Sequence, residues 1–393
     1  MYHSDFSVFD TNPTLIYLDS AATTLRPRQV IEAVATFSGS AYGPIHRGLY
    51  PLSVQATGLY EQARATVATF LNAPTQEIIF TSGATDSLNQ ICWGLSKTLG
   101  PNDIVLVSTL EHHSALLPWQ QAAQERGFRL QFCELDEHAK IRITKLDPRV
   151  KVISMPLISN VTGTGIDCGQ ISNLAHANNA ILIVDASQAV SHMPLDVQKL
   201  GCDFLVFSGH KMYGPTGVGV LWGKAEKLAA LAPYRMGGEM VSSATTTTHQ
   251  LADIPYRFEA GTPNADGVIG LAAAIGYLQD AGMDAVRHHV EQHTKILING
   301  LASISEVKLL AKPELRAGLV SFTVQGIHPH DISEFLGRQD ICIRAGQQCA
   351  GPAHQALNVA ATCRASIGLY TDASDINTFI SAVKEVILDV VRV

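Results

Sequence analysis

The sequence is poor in charge, and it has no apolar stretch that approaches the roughly 20 residues needed to span a bilayer. Only 16% of its 393 residues are Asp, Glu, Lys or Arg and 46% are hydrophobic, whereas roughly 25% of an average soluble protein is charged. The net charge is −7 with no basic cluster, which argues against nucleic acid as a partner because phosphate binding requires concentrated Lys and Arg. Residues 1–13 lack the basic and apolar regions of a signal peptide. We therefore expect no membrane partner, and the low charge predicts a homodimer whose second subunit covers part of the surface.

The cysteines form no pattern of their own. There are seven, an odd number, at positions 92, 133, 168, 202, 342, 349 and 363. No C-x-x-C pair and no spacing typical of zinc ligands occurs among them, so neither a disulfide framework nor a structural metal site is predicted. Free thiols fit a reducing compartment, and we expect a cytoplasmic protein without a bound metal.

What the sequence does have is a series of short apolar runs that alternate with helical stretches. Such runs are typical of strands buried on both faces of a mainly parallel α/β sheet. They occupy residues 77–81, 103–108, 129–135, 150–158, 180–186 and 203–208. We expect a doubly wound sheet with helices on both faces. A further run at 218–223 follows after too short a loop for a helical crossover, so we predict that it is antiparallel.

The order and length of the predicted helices and strands change after residue 267. A long helical stretch extends to about residue 300 and is followed by shorter strands that alternate with helices, a pattern typical of an α+β unit. We predict a large cofactor-binding domain at residues 15–270 and a small C-terminal domain at residues 271–393. Residues 1–14 are expected to pack on the small domain.

Polar residues follow several of the predicted strands, at the edge where ligands gather in an open parallel sheet. Ser82, Gly83, Ala84 and Thr85 come between a strand and a helix. Backbone N–H groups at such a turn, together with the positive end of the helix, can bind an anion. The same residue types also serve as a plain helix N-cap, so this segment alone leaves both interpretations open.

A carboxylate and a lysine follow two further runs. Asp185 ends a buried run, with Gln188 shortly after it. Lys211 follows the next run, and its nearest charged neighbours are Asp203 and Lys224. Pyridoxal 5'-phosphate requires an amine that bonds its aldehyde, an acid that pairs with its pyridinium nitrogen, and an anion site for its phosphate. Because burial lowers the pKa of a lysine amine, the three features together predict a pyridoxal phosphate site.

The segment Glu111–His113 allows two interpretations. Adjacent histidines can bind a metal, but this segment has neither the H-E-x-x-H spacing nor supporting cysteines. An aromatic ring at the end of a strand can instead stack on a planar cofactor. We therefore assign His112 to the cofactor and expect His113 to be structural.

Cys349 differs from the other cysteines in its surroundings. It lies in a polar loop, and Pro352 just after it is typical of the first turn of a helix. We expect the thiol to be exposed near a helix start, where it can ionise and act as a nucleophile. An incidental loop cysteine is the alternative that these surroundings leave open.

Seven blocks of the sequence follow one another in an order that is also found in a known family. They are YLDSAATTLRP (17–27), HRG (46–48), EHHSALLPW (111–119), SNVTGT (159–164), SGHKMYGPTGVG (208–219), FEAGTPN (258–264) and RAGQQCAGP (344–352). Together they resemble the group II cysteine desulfurases, which are class V, fold-type-I pyridoxal phosphate enzymes. The resemblance covers nearly the whole chain. It implies a mainly parallel seven-stranded sheet with helices on both faces and a smaller C-terminal α+β domain.

The resemblance implies a set of residues that contact the cofactor. Lys211 would hold it, Asp185 would pair with its ring nitrogen, and His112 would stack on the ring and assist proton transfer. Asn160 and Gln188 would contact its phenolic oxygen side. The phosphate would lie against the turn after the first sheet strand and the lysine segment, with one residue from the opposite subunit: Gly83, Ala84, Thr85, Ser208, His210 and, from that subunit, Thr262.

The resemblance also implies residues that act on the substrate. Arg364 would bind the substrate carboxylate by paired hydrogen bonds. Arg344, His46 and Asn160 are further candidates for substrate contact. Cys349 would attack the substrate sulfur.

The activity implied by the resemblance is that of a homodimeric cysteine desulfurase, which converts L-cysteine to L-alanine. Cys349 would carry the sulfur as a persulfide and pass it to a sulfur-acceptor protein of the SufE/CsdE type, as in iron–sulfur cluster assembly. One alternative is a selenocysteine lyase or cysteine sulfinate desulfinase, in which the leaving group departs without a protein nucleophile. Another is a non-catalytic sulfur carrier or scaffold.

The chain departs from the commonest family pattern just before Cys349. Many members have histidines at the positions of Gln347 and Gln348. Glutamines keep the hydrogen bonding but carry no proton at pH 7. Turnover is therefore expected to depend more on the sulfur acceptor.

Overall fold

The computed structural model describes residues 2–312 and 314–391. Its α-helices are α1 (Val8–Thr11), α2 (Arg28–Ser40), α3 (Pro51–Leu71), α4 (Ala84–Ser96), α5 (His113–Arg126), α6 (Cys168–Ala177), α7 (Val197–Leu200), α8 (Ala225–Ala230), α9 (Ala265–Ala281), α10 (Met283–Ala302), α11 (Pro329–Gly337), α12 (Gly351–Ala356) and α13 (Ala373–Val391). No helix within the two described ranges is both long and apolar enough to cross a bilayer.

The strands are short and occur throughout the chain. They are β1 (Ile16–Tyr17), β2 (Ile78–Thr81), β3 (Ile104–Val107), β4 (Arg129–Phe132), β5 (Glu134–Leu135), β6 (Ile141–Arg142), β7 (Val150–Pro156), β8 (Ile181–Asp185), β9 (Phe204–Ser208), β10 (Gly219–Gly223), β11 (Val241–Ala244), β12 (His249–Leu251), β13 (Val307–Leu309), β14 (Leu319–Val324), β15 (Ile341–Cys342), β16 (Arg344–Gly346) and β17 (Thr362–Ser366).

Seven of the strands form the central sheet, in the order β2-β10-β9-β8-β7-β3-β4. β10 is antiparallel to both of its neighbours, and the other pairs are parallel. The predicted seven-stranded, mainly parallel sheet with one antiparallel strand is confirmed. The predicted run at 129–135 was too long, because only β4 joins the sheet. β5 pairs instead with β6 in a separate hairpin.

The central strands are buried on both faces because successive side chains enter two different cores. In β9, Leu205 and Phe207 belong to one core, whereas Phe204 and Val206 belong to the other. All four side chains are fully buried. Helices α2, α3, α6 and α9 contribute to the first core, and α4, α5 and α8 contribute to the second. This arrangement explains why continuous apolar runs, rather than alternating ones, predicted the strands.

The C-terminal part of the chain has a sheet of its own. Four strands pair antiparallel in the order β13-β14-β17-β16. Helices α10, α11 and α13 pack on them around a core that includes Phe322 and Phe379. The α+β unit that the sequence predicted after residue 267 is therefore present in the structure. The proposed division into residues 15–270 and 271–393 stays a prediction, and its boundary falls within α9.

The first residues contact both parts of the chain. The ring of Phe6 is fully buried, and its centroid lies 4.9 Å from that of Tyr370 and 6.0 Å from those of Tyr213 and Tyr277. β1 pairs in parallel with β15. The sequence predicted that residues 1–14 pack on the small domain. Phe6 also contacts Tyr213, which lies in the predicted large domain. Met1 lies outside the described residues.

The parallel strands bring polar residues to one edge of the central sheet. β8 ends at Asp185, β9 ends at Ser208, and Lys211 follows β9 within one 3-10 turn. The start of α4 lies close to this edge because β10 begins with a glycine, Gly219. A Cβ atom at Gly219 would lie 2.4 Å from the Cα atom of Gly83. Glycine at position 219 therefore allows the turn before α4 to approach the end of β9.

A buried ion pair joins α3 to the segment before α9. Arg64 is 1% exposed, and its Nη1 and Nη2 donate to the two carboxylate oxygens of Glu259 at 2.6 and 2.9 Å. Glu259 Oε1 also accepts from the backbone N–H of Phe80, on β2, at 2.7 Å. Burial alone would lower the pKa of Arg64, but the carboxylate raises it above its ordinary value. The pair therefore stays ionised and fixes the segment before α9 against the sheet.

We expect Arg64→Met to lower the free energy of unfolding by about 3 to 5 kcal/mol, because it leaves the buried Glu259 carboxylate without its partner. Urea unfolding followed by circular dichroism measures the change. Arg338→Met is the matched control, since Arg338 pairs with Glu334 on the surface, and we expect a change below about 1 kcal/mol. Equal effects of the two substitutions would contradict this account.

Candidate active site

A cavity of about 240 Å³ opens at the carboxyl edge of the central sheet. Residues from the central sheet and from the C-terminal strands line it together. Those that the sequence had singled out are Ala84, Thr85, His112, Asn160, Asp185, Ser208, His210, Lys211, Arg344, Cys349 and Arg364. The structure therefore brings most of the predicted site residues to one place, although they lie far apart in the chain.

Two predicted residues lie just outside the cavity wall. Gly83 immediately precedes Ala84, which does line the cavity. Gln188 is buried, and its Nε2 donates to the carbonyl oxygen of Ala21 at 2.9 Å. Because Ala21 is itself part of the wall, Gln188 contacts the cavity only through Ala21.

Two other predicted residues lie elsewhere in the chain. His46 Nε2 is 2.9 Å from Glu61 Oε1, and His46 lines a different cavity. Thr262 lines another cavity, together with Ser82 and Asp86. The assignment of Thr262 to the phosphate site of an opposite subunit stays a prediction. The assignment of His46 to the substrate also stays a prediction, and His46 is not among the described residues that line the cavity with Lys211.

Lys211 is partly buried at the floor of the cavity. Burial is the largest influence on its amine and lowers its pKa below the ordinary lysine value, and the positive charge of Arg364 lowers it further. Asp185 and Cys349 act in the opposite direction but do not offset the burial. The amine is therefore closer to its uncharged, nucleophilic form than a surface lysine.

Asp185 lies at the end of β8 and is 8% exposed. One carboxylate oxygen, Oδ1, accepts from the backbone N–H of Ser187 at 2.8 Å. The hydroxyl of Ser187 lines the cavity, and neither it nor Nε of Arg364 has a hydrogen-bond partner within the described residues, although both atoms are buried. Buried polar atoms without partners are costly. The cavity is therefore suited to a polar ligand.

His112 caps the start of α5 and lines the cavity. Its Nδ1 accepts from the backbone N–H of Ser114 at 3.1 Å and lies 2.8 Å from the Ser114 hydroxyl. Burial, and then the charge of Lys211, lowers the pKa of His112 to about 4. The ring is therefore neutral near pH 7, and because Nδ1 is an acceptor, its proton lies on Nε2.

The start of α4 and the end of β9 form a site that favours an anion. The Ser208 hydroxyl accepts from the backbone N–H of Ala84 at 2.8 Å, which joins β9 to the first turn of the helix. α4 is a 13-residue helix, so its N-terminus carries partial positive charge. Thr85 and His210 complete this side of the cavity. Burial lowers the pKa of His210 to about 4, with smaller contributions from Lys211 and Arg26.

Arg364 on β17 supplies a fixed positive charge to the cavity. It is 3% exposed, its Nη1 donates to the Asn160 carbonyl at 2.9 Å, and its Nη2 donates to Asp19 Oδ1 at 3.3 Å. Burial is the largest influence on both partners, lowering the pKa of Arg364 and raising that of Asp19. Sequence reasoning did not assign Asp19 to the site, although Asp19 belongs to the block YLDSAATTLRP that supported the resemblance.

Cys349 lies between β16 and α12 and is exposed at the mouth of the cavity. The expectation of an exposed thiol near a helix start is confirmed, since α12 begins at Gly351. Gln348 and Cys349 both have left-handed backbone conformations, with φ of 46° and 54°. Each costs about 1 to 2 kcal/mol for a residue other than glycine, so neighbouring contacts must stabilise the loop.

The donor set fits pyridoxal 5'-phosphate. Lys211 offers an amine of lowered pKa, Asp185 a buried carboxylate, and the start of α4 an anion site. The partnerless Ser187 hydroxyl is a further polar group for a ligand. A metal is a poorer match, because the described part of the chain contains no group of three or more His, Cys, Asp or Glu that could bind one.

Comparison with known proteins finds cysteine desulfurases that match nearly the whole chain. The family described as Aminotransferase class-V matches residues 16–379. A probable cysteine desulfurase of Halalkalibacterium halodurans is 39% identical over 369 residues, which cover 92% of this chain and 91% of that protein. The crystal structure of the cysteine desulfurase CsdA from Escherichia coli has a TM-score of 0.90 and 35% identity, covering 98% of this chain and 97% of that one. The apo structure of a cysteine desulfurase from Thermococcus onnurineus NA1 has a TM-score of 0.92 and 35% identity, covering 98% and 96%.

We expect Lys211→Met to raise the pKa of His112 above about 4 in cofactor-free protein, because the substitution removes a positive charge that lowers it. Burial remains the larger cause, so the pKa should stay below the ordinary histidine value of about 6.5. Nuclear magnetic resonance titration of labelled histidines measures the shift. Lys199→Met, at an exposed lysine, should leave it unchanged. A His112 pKa that does not rise in Lys211→Met would refute the assigned coupling.

Proposed function

The chain belongs to the class-V aminotransferase family and to its cysteine desulfurases, and we propose that it moves the sulfur of L-cysteine onto Cys349 and releases L-alanine. One observation carries this proposal: an amine of lowered pKa, a buried carboxylate, a buried guanidinium and an exposed thiol line the same cavity. These groups belong to Lys211, Asp185, Arg364 and Cys349. A non-catalytic carrier would have no need of the first three.

The enzyme uses pyridoxal 5'-phosphate, which when bound supplies an electron sink for the bonds at the substrate Cα. Lys211 would hold it covalently, and Asp185 would pair with its ring nitrogen. His112 would contact the ring, and Asn160 its phenolic oxygen side. Ala84, Thr85, Ser208 and His210, with Gly83 in the same turn, would surround the phosphate at the start of α4. Gln188 would act through the Ala21 carbonyl that it contacts.

Arg364 would bind the substrate carboxylate. Its side chain is fixed by Asn160 and Asp19, while its Nε is buried without a partner among the described residues. A carboxylate oxygen would provide that partner, and charge-assisted bonds of this kind are strong. Arg344 lines the same cavity and adds positive charge. The site is therefore suited to amino acids with a free carboxylate.

Proton transfer would involve two groups of lowered pKa. Lys211 Nζ, once free, can accept the proton from the substrate Cα because its burial disfavours the charged form. His112, neutral with its proton on Nε2, can donate a hydrogen bond into the cavity. Neither group requires an acidic medium to be in the necessary state.

The Cys349 thiolate would then attack the substrate sulfur. A sulfur–sulfur bond forms while the bond between sulfur and the substrate Cβ breaks, and the electron pair of that bond remains with the carbon skeleton. Protonation of Cβ and return of a proton to Cα then yield alanine. The sulfur remains on Cys349 as a persulfide, and the exposed position of Cys349 leaves it accessible to a sulfur-acceptor protein of the SufE/CsdE type.

An exposed apolar surface favours a second copy of the chain as a partner. Exposed apolar side chains are concentrated between residues 42 and 54, where Leu49 is fully exposed: Tyr42, Leu49, Tyr50, Leu52 and Val54. A surface of this kind usually marks an interface. In such a homodimer Thr262 would reach the phosphate site of the opposite subunit. We place the enzyme in the cytoplasm, since all seven of its cysteines are free thiols.

Replacement of Cys349 by Ser should abolish formation of the persulfide, because serine cannot accept sulfur from cysteine. The yellow absorbance of the cofactor should remain, since Cys349 does not hold it. Mass spectrometry after incubation with L-cysteine, searching for one added sulfur on the Cys349 peptide, measures the outcome. Cys342→Ser is the control and should keep the added sulfur on Cys349. Unchanged alanine production by Cys349→Ser would show that another group takes the sulfur.

Mixed dimers test whether Thr262 acts across the interface. Lys211→Ala and Thr262→Ala homodimers should each be defective at both sites. A dimer with one protomer of each kind should regain one complete site, because the Lys211→Ala protomer supplies Thr262 to its partner. Co-expression with two different tags isolates this dimer, and alanine production from cysteine measures recovery. Activity no greater than the mean of the two parents would contradict action across the interface.

A further inference from the structure

The loop that carries Cys349 is held by hydrogen bonds to His113, Asn160 and Thr362. We define the Cys349 loop as residues 347–351. Two consecutive residues in it, Gln348 and Cys349, have left-handed backbone conformations, which residues other than glycine rarely adopt without support. The groups that provide this support therefore decide where the thiol lies.

On one side, His113 makes two hydrogen bonds to the loop. Its backbone N–H donates to the carbonyl oxygen of Cys349 at 2.8 Å. Its ring Nε2 accepts from the backbone N–H of Gly351 at 3.2 Å. The two bonds span Cys349 and the start of α12, and they anchor both to the first residue of α5.

On the other side, Gln348 is anchored by its backbone and its side chain. Its carbonyl oxygen accepts from Asn160 Nδ2 at 2.8 Å. Its side-chain amide bonds Thr362 twice: Nε2 donates to the Thr362 carbonyl at 3.1 Å, and Oε1 accepts from the Thr362 hydroxyl at 3.0 Å. Gln348 is 7% exposed. The glutamine that replaces a histidine of the commonest family pattern therefore fixes the loop through its own backbone carbonyl and side-chain amide.

The residue after Cys349 is fixed by packing. Ala350 is fully buried in a small apolar cluster with Leu110, Val161 and Ala353. The backbone on each side of the thiol is thus anchored by packing or hydrogen bonds, while Cys349 itself is exposed. Rotation of its side chain remains as the means by which the sulfur can face the cavity or an acceptor.

We propose that His113 is a positioning residue that holds the Cys349 thiol at the mouth of the cavity, with Gln348 as its counterpart on the opposite side of the loop. His113 does not line the cavity, so it acts through the loop and not on the substrate. Sequence analysis expected His113 only to be structural, because its partner lies more than two hundred positions along the chain. The inference rests on the proposed function, since positioning matters only if Cys349 accepts sulfur.

The test compares His113→Ala with His113→Gln in the cofactor-loaded enzyme. Alanine removes the ring acceptor, whereas a glutamine Oε1 can replace Nε2. We expect His113→Ala to lower kcat for sulfur transfer from cysteine about 10- to 100-fold, the size of effect that a misplaced reacting group produces, with KM changed less than about twofold. His113→Gln should recover most of the loss. His138→Ala, at an exposed histidine, is the matched control.

A thiol-independent readout separates positioning from damage to the site. Exchange of the Cα proton of L-alanine with D2O requires Lys211 and the cofactor but no thiol, so His113→Ala should retain it. In addition, the Gly351 amide should exchange with solvent faster in His113→Ala than in wild type, because it loses its acceptor. Gln348→Met, which keeps the size of the side chain but loses both bonds to Thr362, should reproduce the selective loss if His113→Ala does not fold.

Three results would overturn the inference: wild-type kcat in His113→Ala, an equal loss of alanine exchange, or no recovery in His113→Gln. Failure of the proposed function is distinct, because wild-type enzyme would then form no persulfide on Cys349. The exchange of the Gly351 amide needs no substrate. It therefore tests the contact of His113 with the loop in either case.

Discussion

The burial of the Lys211 amine is the constraint on which the rest of the site depends. Only an uncharged amine can bond an aldehyde, and a lysine at the surface is almost entirely protonated at neutral pH. Burial lowers the pKa of Lys211, and the nearby Arg364 charge adds to that effect, while Asp185 opposes it. Asp185, the carboxylate proposed to pair with the cofactor ring, therefore also favours the charged form of the lysine. Burial is the larger effect, and the central sheet provides it.

The fold meets this condition by combining two sheets. The central sheet supplies Asp185 and Lys211 from neighbouring strand ends, where parallel strands place their carboxyl termini together. The smaller C-terminal sheet supplies Arg364 and the loop that carries Cys349. The guanidinium and the thiol proposed to act on the substrate are thus supplied by one sheet. Lys211 and Asp185, proposed to hold the cofactor, are supplied by the other, and all four residues line the same cavity.

The sequence predicted the sheet because its strands are buried on both faces and therefore read as continuous apolar runs. It indicated Asp185 and Lys211 because Asp185 ends one such run and Lys211 follows shortly after another. It could not place Thr262 or His46 in the fold, because their positions depend on long-range packing. The contacts of His113 with Cys349 and Gly351 could not be predicted either. No local sequence pattern indicates which distant backbone group a histidine ring will contact. Asp19 lay within a quoted block, yet only its approach to Arg364 reveals its contribution.

The attachment point of the cofactor tests the central claim most directly. Borohydride reduction of the cofactor-loaded protein makes the bond to the protein permanent, and digestion followed by mass spectrometry then locates it. The account predicts a pyridoxyl group on the peptide that contains Lys211 and on no other lysine peptide. A label on a different lysine, or protein that takes up no label when the cofactor is supplied, would contradict it.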